Sequence, residues 1–136
     1  MLKIYTDGGS RGNPGKAACA FIVVKDNKII KQKSKFLGYK KTNNEAEYNA
    51  IIFALENVLE KELEIISDSE LVIKQVTGKY RINKPHLVLL NQKIRGLISN
   101  RKIKFSNSNR ENKYIALTDI LVNIELNKRN KRSPYI

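Results

Sequence analysis

The chain has 136 residues, with 26 Lys+Arg against 13 Asp+Glu and a formal net charge of +13. That length suits one domain with a real core, and that charge favours a polyanionic partner, nucleic acid before an anionic membrane. No apolar run is long enough to span a bilayer, no signal-peptide pattern follows Met1, and a single cysteine excludes an internal disulfide, so a cytoplasmic protein is expected.

In chain order, residues 2–6 (LKIYT) read as a strand ending at Asp7. Residues 17–26 (AACAFIVVKD) and 28–39 (KIIKQKSKFLGY) form two more, joined by a hairpin turn at Asp26-Asn27. Cys19, inside the apolar run, is expected to be an inert core thiol. Residues 42–61 are the clearest helix. Thr42 and Glu45 make a capping box, and Ala50, Ile51, Ala54, Leu55 and Val58 follow the helical period. A strand over 63–69, a helix over 70–79, a helix from Pro85 to about Ser99 and a strand over 102–105 follow. The polar stretch SNSNRENK (106–113) reads as a loop, and a last helix runs from Tyr114 to Leu126. The order implies an α/β fold, a mixed sheet flanked by helices, in one domain over 1–126 with a basic tail over 127–136.

The stretch YTDGGSRGNPGKAA (5–18) holds four glycines within eight positions before a lysine, yet it is not a P-loop. Ser10 stands where that motif needs its first glycine, and Ala17 offers no hydroxyl for magnesium. No G-x-G occurs either, which removes the dinucleotide fingerprint.

Four acids do not fit their surroundings. Asp7 and Asp68 follow strands that, if parallel, share one carboxyl edge of a sheet. Glu47 precedes Ala50, Ile51, Ala54 and Val58 on one helix stripe, and Asp119 has Ile115, Val122 and Leu126 at comparable spacing. A carboxylate facing a core is costly unless it is paired or binds a metal. With one histidine and one cysteine in the chain, a zinc or copper site is unsupported. A carboxylate cluster suits a hard ion, Mg²⁺ or Mn²⁺, and on a basic protein that suggests phosphodiester chemistry.

The segments TDGGSRGNPG (6–15), TNNEAEY (42–48) and SDSELV (67–72), with the weaker TDILVN (118–123), resemble the motifs of type 1 ribonuclease H. The resemblance covers about residues 2–126. It implies a ribonuclease H-like fold with a mixed five-stranded sheet, three antiparallel strands and then parallel ones. It implies an endoribonuclease that hydrolyses the RNA strand of DNA·RNA hybrids with two Mg²⁺ ions, which Mn²⁺ can replace, leaving 5′-phosphate and 3′-hydroxyl ends. Asp7 would bridge the ions, Glu47 and Asp68 would ligate the leaving-group ion, and Asp119 the ion carrying the attacking water. Asn13 and Asn44 would read the RNA minor groove, with Thr42, Asn43 and Ser69 as neighbouring contacts and the glycine turn placing Asp7 and Asn13.

The chain departs from the family at three points. Asn107 matches a loop histidine of many members and cannot transfer a proton. Glu70 stands where the family often has Gln. The basic helical protrusion of some members is missing. Hybrid binding would then use dispersed charge at GYKK (38–41), KYR (79–81) and the tail, with affinity falling steeply in salt. His86, after Pro85, reads as a surface or capping residue. A monomer is expected. The alternatives are a catalytically weak hybrid-binding module and a relative that also cuts double-stranded RNA.

Overall fold

β1 (Leu2–Gly12) runs antiparallel to β2 (Gly15–Lys25), and β2 antiparallel to β3 (Lys28–Lys41). The β2–β3 turn is the expected one: Asp26 and Asn27 both take positive φ, 52° and 63°, which suits a tight hairpin. β4 (Glu62–Ser67) lies parallel beside β1, and β5 (Lys102–Asn107) parallel beside β4, giving the order β3-β2-β1-β4-β5. The helices are α1 (Asn43–Asn57), α2 (Glu70–Val76), α3 (Pro85–Ile98) and α4 (Lys113–Lys128). This computed structural model describes residues 1–128.

The pleat sorts side chains onto two faces. Ile4, Phe21, Val23, Leu63 and Ile65 pack with Ile51 and Leu55 of α1 and with Leu87 and Ile94 of α3. Tyr5, Ile22, Val24 and Ile66 meet Ile115 of α4 on the other face, and Ala18 and Ala20 meet Val122 and Leu126 further along it. The sheet is therefore a filling between α1–α3 and α4. Cys19 is fully buried, and burial pushes its thiol up to about 12, which makes it inert as expected.

Local chemistry sets the helix ends. Thr42 Oγ1 accepts from Glu45 N (3.1 Å) and Glu45 Oε1 accepts from Thr42 N (2.9 Å), the reciprocal box read from sequence. α1 stops at Asn57, short of the expected residue 61, and has no basic residue in its last turn. Its open carbonyls are met from outside: Lys31 Nζ donates to Asn57 O (2.8 Å), and Arg101 Nη2 to Val58 O (2.6 Å). α4 begins where Asn112 Oδ1 accepts from Tyr114 N and Ile115 N, and it passes the expected boundary at Leu126 and is helical through Lys128, the last described residue. The rest of the expected basic tail, residues 129–136, lies outside the described residues.

β1 departs furthest from expectation. It does not end at Asp7 but stays paired with β2 to Gly12↔Gly15, turning through Asn13-Pro14, a cis peptide bond. Asp7 is thus in mid-strand. β4 ends at Ser67, one residue past the Tyr5↔Ile66 pair, so β1 loses its parallel neighbour just as Asp7 arrives. Asp68 follows at that open flank. Among the described residues no helix is long and apolar enough to cross a membrane.

Candidate active site

Gly8 brings the first two acids together. A Cβ there would stand 2.2 Å from the Ala46 carbonyl carbon and oxygen, so α1 lies directly on the β1 backbone. This contact carries Glu47 over the strand, where Gly8 N donates to Glu47 Oε1 at 2.6 Å. Asp7 is 6% exposed and Glu47 5%. Asp68 contributes the third carboxylate, and ligand oxygens of Asp7, Glu47 and Asp68 all lie within 4.8 Å of one another. Asp68 Oδ1 is buried and has no hydrogen-bond partner.

Such packing works against ionisation. Burial, reinforced by Asp68 and then Asp119, pushes the Asp7 carboxyl up to about 8. Burial, then the charges of Asp7 and Asp68, holds Glu47 well above the usual carboxylate range, with the Gly8 N–H pulling the other way. The donor set is all oxygen, crowded, and short of a counter-charge. It fits a hard divalent cation, which would satisfy the orphaned Asp68 oxygen and reverse the electrostatic penalty.

A pH effect follows. An acid whose folded value is raised binds more protons folded than unfolded, so the metal-free fold weakens as pH rises from 3.8 to about 8. Asp7→Asn removes that penalty. In chelator, its melting temperature is expected to match wild type near the lower limit and to exceed it increasingly toward the upper one. Divalent metal should close the gap by stabilising wild type alone. Thermal melts across the range check this; parallel curves for the two proteins would contradict it.

Asp119 sits differently from the sequence expectation. It does not face the core. It is exposed on α4, beside the same cleft, close enough to raise the Asp7 value but outside the three-carboxylate cluster. The inward row is Ile115, Thr118, Val122 and Leu126, with Thr118 fully buried and its hydroxyl donating to Tyr114 O (2.6 Å).

The expected substrate contacts divide. Asn13, Thr42, Asn43 and Asn44 line one cleft together with Lys84 and His86. Asn13 Oδ1 accepts from Asn43 N (3.0 Å) and Asn43 Oδ1 from Ser10 N (3.3 Å), so these amides also pin the β1–β2 hairpin to the start of α1. Asn44 borders a second, basic groove with Lys79, Tyr80, Arg81 and Lys84. Ser69 lines neither: it caps α2, its Oγ accepting from Val72 N (3.3 Å). Asn107 ends β5 rather than lying in the loop, and its Nδ2 donates to Ser67 O (3.0 Å). Glu70 pairs with Lys74 at 2.7 Å.

Sequence reasoning missed Arg110. Its Nε donates to Asp68 Oδ2 at 3.2 Å, and it lines the acid cleft. Loop residues have no period to mark them; an arginine among the asparagines of 106–113 was the signal available. Arg11 and Asn123 also line the cleft and were not singled out.

Three convergent carboxylates at the open flank of a parallel strand pair, in a β3-β2-β1-β4-β5 sheet, define a class of α/β domains suited to divalent cations. Within it, the RNase H family model matches residues 1–129, and the chain belongs to the RNase H family. Ribonuclease HI of Halobacterium salinarum is 44% identical over 87 residues, 61% of this chain and 43% of that protein. The bifunctional protein Rv2228c of Mycobacterium tuberculosis is 35% identical over 107 residues, 75% of this chain and 29% of that protein. The chain thus spans less than half the length of these curated relatives. Among solved structures, LC11-RNase H1 in complex with an RNA/DNA hybrid superposes with a TM-score of 0.88 at 34% identity, covering 96% of this chain and 100% of that one. RNase H1 of Halobacterium salinarum gives a TM-score of 0.84 at 34% identity, covering 93% of this chain and 98% of that one.

Proposed function

We propose that the chain is an endoribonuclease that hydrolyses the RNA strand of DNA·RNA hybrids with two Mg²⁺ ions, leaving 5′-phosphate and 3′-hydroxyl ends. The observation that carries this reading is the Asp7–Glu47–Asp68 cluster with its orphaned oxygen, on the fold of a family whose relative LC11-RNase H1 has been solved on an RNA/DNA hybrid. Asp7, Glu47 and Asp68 would hold the ions, with Asp119 completing the set from α4. When bound, the ions supply an activated water and stabilise the leaving oxygen.

The chain's own groups do the rest. The Gly8 N–H orients Glu47, and Arg110 holds one Asp68 oxygen and sets a positive charge beside the cleft. Asn13, Thr42, Asn43 and Asn44 line the cleft suited to the RNA minor groove, whose 2′-hydroxyls distinguish RNA from DNA. Lys79, Arg81 and Lys84 line a groove suited to phosphates of the paired strand. Ser69 serves α2 as its cap and is not assigned a substrate contact. The catalytic unit would be residues 1–126, as one domain.

The test presents one end-labelled sequence as hybrid, double-stranded RNA, double-stranded DNA and single-stranded RNA, each with Mg²⁺, Mn²⁺ or chelator. The expected result is metal-dependent cutting of the hybrid's RNA strand. Cutting that persists in chelator, or tight hybrid binding with no cutting under any metal, would overturn the proposal, and the latter would favour a binding module.

A further inference from the structure

Asp119 poses a physical problem. It is an exposed carboxylate on a helix, joined to the buried Asp7 by a side-chain hydrogen bond that lasts only while one of the two is protonated; with both ionised they repel. Left alone it would sample several rotamers and drift outward.

Two neighbours restrain it. Asn123, one helical turn on, places Nδ2 3.0 Å from Asp119 O and 3.4 Å from Asp119 Oδ2. An amide can present either its nitrogen or its oxygen, and the oxygen would repel a carboxylate. Arg11 decides between them. Its Nη2 donates to Asn123 Oδ1 at 3.2 Å and to Asn123 O at 3.4 Å. A guanidinium only donates, so it requires the Asn123 oxygen on its own side and turns the amide nitrogen toward Asp119. Arg11 stands on β1, four residues beyond Asp7, on the length of strand that continues past the end of β4. All three residues line the acid cleft.

We propose that Asn123 is a positioning residue for Asp119, with its amide orientation set by Arg11, so that the strand carrying Asp7 also fixes the fourth acid. This rests on the reading of Asp119 as part of the metal site. Partners that orient ligands in this way commonly change metal affinity by about 10–100-fold when removed.

The test has two readouts: the Mn²⁺ concentration that half-saturates the metal-induced rise in melting temperature, without substrate, and kcat with KM on a hybrid. Asn123→Ala is expected to raise the Mn²⁺ midpoint about tenfold and to lower kcat with KM little changed. Arg11→Ala should do the same, the double variant no more, and Arg11→Lys should restore most of the loss. In an Asp119→Ala background neither change should move the midpoint further. A shift that persists in that background, an Arg11→Ala effect confined to KM, or a wild type that Mn²⁺ does not stabilise would overturn the proposal. If the midpoints follow the expected pattern while no variant cuts a hybrid, the positioning stands and the nuclease reading falls.

Discussion

Asp7→Asn is expected to leave a folded protein that binds hybrid and no longer cuts it. The site explains both halves. Asn is nearly isosteric and removes a charge that burial already opposes, so folding in chelator is favoured rather than harmed. Asp7 is also the residue to which Glu47, Asp68 and Asp119 are all electrostatically linked, so its loss breaks the set at its centre. The charge stabilisation such sites supply amounts to several kcal/mol, and each ~1.4 kcal/mol is a tenfold change in rate, so the loss should be on the order of 10³-fold or more. Single-turnover cleavage with binding measured in Ca²⁺ separates the two effects. Residual cutting within tenfold of wild type would mean that Asp7 is not where the chemistry occurs.

The second large effect is expected at a residue with no side chain. In Gly8→Ala the new methyl would fall on the Ala46 carbonyl at 2.2 Å and within 2.7 Å of Glu47 N, all of it helix backbone that cannot swing aside. α1 must lift from β1 or the strand must bend. Overpacking of a core typically costs about 1–3 kcal/mol, and a clash with main chain belongs at the top of that range or beyond it. For a chain of this size that corresponds to a fall of roughly 10 °C in melting temperature. Activity should fall as well, because lifting α1 withdraws Glu47 and breaks its 2.6 Å bond to Gly8 N. Gly9→Ala is the control: its nearest neighbours, Asn43 Oδ1 and Val122 Cγ1, lie at 3.7 Å, an ordinary contact. Equal melting temperatures for Gly8→Ala and wild type would contradict the close approach.

What could be read from sequence was what local chemistry decides. Thr42 and Glu45 announced their helix because capping is settled within four residues, and Asp26-Asn27 announced its hairpin because those residue types tolerate positive φ. Glu47 and Asp68 were legible as acids out of place, one on an apolar stripe and one after an apolar run. The extension of β1 was not. Gly8, Gly9 and Gly12 erase the alternation that marks a strand; the strand persists there only because β2 pairs with it, which no local pattern reveals. Asp119 was misplaced by one position for a related reason. Leu117, Ile120 and Ile124 are apolar yet exposed, so α4 is apolar on most sides and its period cannot say which face turns inward. Arg110 reaches Asp68 across 42 positions, a contact only the assembled fold creates.

The sheet order leaves β3, fourteen residues long, as an edge. An open edge of that length is a template on which another chain can add a strand. Lysines stand at positions 31, 33 and 35, the first two tied to Asn57 at the end of α1 and the third over the Phe53 ring. A chain pairing along β3 would crowd these ammonium groups and strip their water. Part of the charge that suggests a polyanionic partner therefore has a second use. It would count against copies of the protein stacking edge to edge, so the basicity that would draw the domain to a nucleic acid would also oppose its self-association.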